Sequence, residues 1–157
     1  MSSFNRRTLI FTLAALPACG FTPVYAPGSG PAALRGAVSI GAPDSPNAFR
    51  LTRALELRLG QPTEPEFTLA VDVTLEEEGS VITRTSEIER FTIRGEASYA
   101  LAAIGGTAIT KGTTRAFTSY SASGTPVATR AAREDAQERL MVILADRIVS
   151  RLAADLS

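Results

Sequence analysis

The chain has 157 residues, 45% of them apolar and 20% charged, a balance that supports one globular domain with a real core. A single cysteine excludes an internal disulfide, and the lack of any histidine removes the usual metal ligand and the commonest general base, which argues against a metalloenzyme or a histidine-dependent hydrolase. Sixteen basic residues balance sixteen acidic ones; setting aside Arg6 and Arg7, in a segment expected to be removed, leaves 14 against 16, a charge of about −2 and no electrostatic footprint for nucleic acid.

Arg6 and Arg7 precede the uncharged run TLIFTLAALPA, Thr8 to Ala18, which ends in small residues just before Cys19. That order of positive, apolar and small residues is a secretory signal. As a helix the run would be only about 16 Å long, too short for a hydrocarbon core of roughly 30 Å. Leu16-Pro17-Ala18-Cys19 resembles the lipobox of bacterial lipoproteins, although Pro17 departs from the usual small residue. Free cysteines are often small buried core residues, but this one, beside Pro17 and Gly20, has no core to enter. The resemblance implies that residues 1–18 are a cleaved signal and that Cys19 is acylated, each buried methylene adding roughly 0.8 kcal/mol to membrane attachment. Gly20 stands where an aspartate would favour the inner membrane, so the resemblance also implies an outer-membrane destination. Asn5-Arg6-Arg7-Thr8-Leu9 fits a twin-arginine export signal and an ordinary positive start equally, with the same destination.

Gly20 to Ala33 holds three prolines and three glycines, so residues 19–33 read as a lipidated N-terminus and flexible tether. The domain is expected over 34–157. A short strand falls around Ala37 to Ile40, stopped by Gly41 and Pro43. Asp44-Ser45-Pro46 then caps a helix over Pro46 to Leu59, with Ala48, Leu51, Leu55 and Leu59 on one face and Gly60 and Pro62 beyond its end. Glu66 to Glu77 alternates, Phe67, Leu69, Val71, Val73 and Leu75 against Thr68, Asp72, Thr74 and Glu76: a strand with one wet face. Ile88 to Ala103 repeats the pattern, with Gly95 as a candidate bend or bulge. Gly105-Gly106 predicts a hairpin into a third strand of poorer alternation, AITKGTTRAFTSY. Ala128 to Leu156 reads as one long helix, its stripe of Ala132, Ala136, Leu140, Ile143, Leu144, Ile148 and Leu152 packed on the sheet and its arginines on the other side.

The expected fold is therefore α+β, a small mixed four-stranded sheet in the order β-α-β-β-β-α with two helices packed on one face. The other face is left available. No nucleophile sits beside a base. Glu76-Glu77-Glu78 is the best carboxylate cluster and reads as a solvated strand end, and the glycines at 105, 106 and 112 follow strands, which fails the context of a phosphate loop. No metal, cofactor or catalysis is expected, and a binding or assembly role leads. Arginine forks suit phosphate and carboxylate, so Arg84 and Arg90 in the Ser80 to Arg90 connection, with Lys111 and Arg115 after the Gly-Gly turn, are the candidate ligand contacts.

Cys19-Gly20-Phe21 with Pro23 and Tyr25, the element order, and GTTRAFTSYSAS (Gly112 to Ser123) leading into a long final helix together resemble the lipopolysaccharide-assembly lipoprotein family LptE, over essentially the whole mature chain. The resemblance implies an outer-membrane lipoprotein that plugs the lumen of the LptD β-barrel, supports assembly of that barrel and binds lipopolysaccharide. Arg115 lies in the matching segment. Two alternatives stand beside it: an auxiliary lipoprotein of a lipid-transporting ABC system, and an anchored hydrolase using carboxylates near Glu76 to Glu78.

Overall fold

The computed structural model describes residues 30–82, 88–122 and 124–156. The signal, Cys19, most of the tether and Arg84 lie outside them. Its elements are a helical turn α1 (Gly30–Ala33), strand β1 (Val38–Ile40), helix α2 (Pro46–Leu59), three long strands β2 (Phe67–Ile82), β3 (Ile88–Ala103) and β4 (Ala108–Ser121), and helix α3 (Pro126–Asp155). The sheet runs β1-β2-β3-β4, with β1 parallel to β2 and the other pairs antiparallel, as the crossover through α2 and the meander require. The end of the segment read as a tether is thus helical, and it leads straight to the buried Leu34.

Helix α2 spans the residues its punctuation predicts. The Ser45 side chain accepts from the Ala48 N–H at 3.1 Å, Pro46 opens the first turn, and Gly60 at φ 78° closes the last by donating to the Glu56 carbonyl. Helix α3 starts the same way from Thr125 and Pro126. Leu51, Leu55 and Leu59 of α2 join Leu140, Leu144, Ile148 and Leu152 of α3 over Leu69, Ile93, Ala97 and Leu101 of the sheet. Both helices therefore cover one face, and this single core is what folding buries.

Three details depart from the periodicity. Strand β2 continues five residues past Glu77, where the glutamate run hides the alternation. Gly95 is no bulge: pairing runs unbroken through Leu75, Gly95 and Ala116. A Cβ there would come within 3.1 Å of Leu75, Leu140 and Leu144, so the glycine lets α3 approach the sheet. The irregularities fall instead between Gly79 and Ile82 and between Leu101 and Ala102. The inward positions of β4 are Gly112, Thr114, Ala116, Thr118 and Tyr120, small for the most part because α3 lies close over them, which is why the strand's alternation reads poorly. Thr118 donates to the Ala136 carbonyl at 2.9 Å and Thr110 to Asp155 at 2.6 Å, pinning α3 near both ends.

Candidate sheet-face site

With both helices on one side, alternation leaves the opposite face of β2, β3 and β4 bare among the described residues. The register fixes its rows: Ala70, Ala100 and Lys111; Asp72, Ser98 and Thr113; Thr74, Glu96 and Arg115; Glu76, Arg94 and Phe117; Glu78, Thr92 and Ser119. Adjacent strands lie about 4.8 Å apart and successive rows about 7 Å apart. The small Ala70 and Ala100 at one end are flanked by Lys111, and the charges concentrate in the middle rows.

The charges are organised in pairs. The Arg115 Nε donates to Glu96 at 2.6 Å, and Arg94 is bonded to Glu78 on the adjoining row. Accepting from Arg115 holds the Glu96 carboxyl below its ordinary range, while the bond to Glu96 raises the Arg115 guanidinium and that to Glu78 raises Arg94. Arg115 is 77% exposed, so solvent screens the pair heavily. Phe117 sits beside them at 70% exposure, and Thr74, Glu76, Arg94, Glu96, Arg115 and Phe117 contribute to a hollow of about 400 Å³. An amphiphile with anionic groups would find there an aromatic ring flanked by two guanidinium forks.

Of the residues expected from sequence, Arg115 and Lys111 point to this face from β4, four residues and about 13 Å apart. Arg90 shares the face but pairs with Ser121 at the far end of the sheet, some ten residues or about 34 Å from the Lys111 row. Arg84 lies outside the described residues. The candidates form a stripe along the sheet instead of a cluster. Arg94 and Phe117, in the middle of the stripe, were not singled out; the alternation that puts Lys111 and Arg115 outward puts Phe117 there too, and Arg94 follows from its register with Phe117. Nor is the face basic: Arg90, Arg94, Lys111 and Arg115 stand against Asp72, Glu76, Glu78 and Glu96, which leaves no net charge among its described residues.

Alternation splits the glutamate run between the two faces. Glu76 and Glu78 turn to the bare face and Glu77 to the helix side, where it accepts from the Tyr120 hydroxyl at 2.5 Å and from Arg133 at 2.7 Å. Burial, and then the bond to Glu77, push the Tyr120 hydroxyl up to about 12. The Tyr120 ring stacks on Phe91 at 5.3 Å. This group fastens the first half of α3 to the sheet.

The family model LptE, lipopolysaccharide-assembly, matches residues 36–152. Among solved structures, a lipoprotein of Caulobacter crescentus CB15 is 25% identical with a TM-score of 0.65, over 80% of this chain and 94% of that one. Rare lipoprotein B of Shewanella oneidensis is 16% identical with a TM-score of 0.57, over 75% and 92%. Lipoprotein B of Nitrosomonas europaea is 13% identical at 0.59, over 86% and 91%; these last two likenesses establish the fold alone. No curated protein sequence matches significantly.

Proposed function

The chain belongs to the LptE family of lipopolysaccharide-assembly proteins, and from that premise we propose that it is an outer-membrane lipoprotein that plugs and supports an LptD-like barrel and binds lipopolysaccharide. Residues 1–18 are its signal peptide, acylated Cys19 its anchor, the residues that follow its tether and 34–157 the working domain. The observation that carries the reading is the bare sheet face. Two helices pack on one side, and the other offers Arg94 and Arg115 around an exposed Phe117, a combination suited to phosphate groups joined to acyl chains. The same mixed, electrically balanced polarity suits the water-filled interior of a barrel. The protein positions and carries; it has no catalytic step.

Purification of the full chain from outer membranes, followed by mass spectrometry, tests the assignment. The expected result is a large β-barrel in constant ratio and an acylated peptide beginning at Cys19. Recovery of inner-membrane transporter components in place of a barrel would favour an ABC-system auxiliary instead. Replacing Arg94 and Arg115 together by glutamine should weaken lipopolysaccharide binding about tenfold with the fold intact; unchanged binding would move the contact off this face.

A further inference from the structure

The sheet has two edges, and among the described residues they are covered to different extents. Gly41 donates to the Leu69 carbonyl at 2.9 Å, so the backbone groups of Leu69 point toward β1. Because those groups alternate from side to side, Val71, Val73, Leu75 and Glu77 turn their N–H and C=O the same way. β1 pairs only with Phe67 to Leu69 and then ends. From Val71 to Glu77 the edge of β2 thus presents a row of donors and acceptors, and the backbone of Val71, Val73 and Leu75 has no partner on that side among the described residues. At the other edge three outward carbonyls of β4 are covered: Arg151 donates to Thr113 at 2.5 Å, Arg147 to Arg115 and Arg139 to Ser119 at 3.4 Å.

The side chains along the open edge say what would fit it. Asp72, Thr74 and Glu76 are exposed on the sheet face, and Asp72 and Glu76 form no ion pair among the described residues. On the helix side Val71 and Leu75 are half-buried at the rim of the core. A second copy is a poor match, since pairing two β2 edges would set one carboxylate row against another, and pairing β2 with a neighbour's β4 would displace the arginines. We propose that the edge of β2 from Val71 to Glu77 is a strand-addition site for an extended segment of a partner protein that alternates basic and aliphatic residues. Its backbone completes the ladder, its basic side chains face Asp72 and Glu76, and its aliphatic ones extend the core past Val71 and Leu75. The site borders the hollow assigned above to lipopolysaccharide and shares Thr74 and Glu76 with it, but the strand pairing does not rest on that reading.

The test uses the full chain with a short peptide alternating lysine and valine, and reads amide hydrogen exchange at Val71, Val73 and Leu75. Saturating peptide should slow exchange there about tenfold or more and leave Thr113 and Arg115 unchanged. A glutamate-valine peptide, or the lysine-valine peptide N-methylated at alternate amides, should have no effect. Val71→Pro, which removes one edge donor without touching the ladder to β3, should abolish the slowing. The proposal is overturned if the lysine-valine peptide slows nothing, if either control peptide acts equally, or if exchange slows with protein concentration alone, which would make a second copy the occupant. Should the proline variant fold poorly, the N-methylated peptide decides the point by itself.

Discussion

Strand β4 and strand β2 are both long and both flank β3, yet they meet their surroundings in opposite ways. β4 lies under the full length of α3, whose arginines 139, 147 and 151 bend back onto its outward carbonyls. β2 has a three-residue neighbour at its start and then an edge with exposed carboxylates. An unpaired edge is an aggregation hazard unless charge, cover or a partner deals with it. Among the described residues, helix α3 covers part of one edge and exposed carboxylates line the other. The difference shows that the arginines of α3, which by periodicity lie opposite the apolar stripe, bind the helix laterally to the sheet instead of merely solvating it.

The most direct way to break the contrast is to remove the cover. Leu144 is fully buried between α3 and the sheet, against the position of Gly95. Leu144→Asp puts an unpaired carboxylate there and should cost about 4 kcal/mol or more, leaving the domain largely unfolded by circular dichroism and urea titration. A normally stable variant would mean that α3 does not present this phase to the sheet.

A smaller perturbation acts on the first half of the same helix. The Tyr120 hydroxyl ionises at about 10 when unfolded and at about 12 in the fold, where burial and the Glu77 carboxylate oppose the phenolate. Below pH 10 both states hold the proton, and the stabilisation is fully present. Between pH 10 and 12 the unfolded chain loses it first, so stability falls with rising pH by about 1–2 kcal/mol. Tyr120→Phe should remove that part of the slope; an unchanged slope in urea titrations across this range would place its origin elsewhere.

How legible this was in the sequence depended on whether a feature was local. Ser45, Pro46 and Gly60 delimit α2 by chemistry that acts within one turn, and the strict alternation of Phe67 to Leu75 displays the strand and its wet face directly. Glu77 defeats the same rule: it is an inward residue made tolerable by Tyr120 and Arg133, 43 and 56 positions away. Gly95 is equally non-local, a glycine whose reason is the approach of Leu140 and Leu144 and not any turn. The bare face followed from counting helices, whereas its neutrality depended on a register that sets Glu96 beside Arg115 and Glu78 beside Arg94. Periodicity reports which way a residue points; it does not report its neighbour on the next strand.

The finest test of the contrast leaves the core alone and opens only the covered edge. Arg147 and Arg151 are exposed, and each donates to one carbonyl of β4. Replacing both by alanine removes two charge-assisted bonds that water can substitute, so the loss of global stability should be only about 1 kcal/mol. Local opening should change more, because the strand can then part from α3 without the rest of the fold. Amide exchange at Thr114, Ala116 and Thr118, whose N–H groups face β3, is expected to quicken severalfold, with Ala70 and Asp72, which face β3 from β2, unaffected. If the β4 amides keep their original rates, the bulk of α3 protects that edge and the arginines are incidental. If both edges quicken together, the sheet opens as one unit and its two sides differ in appearance only.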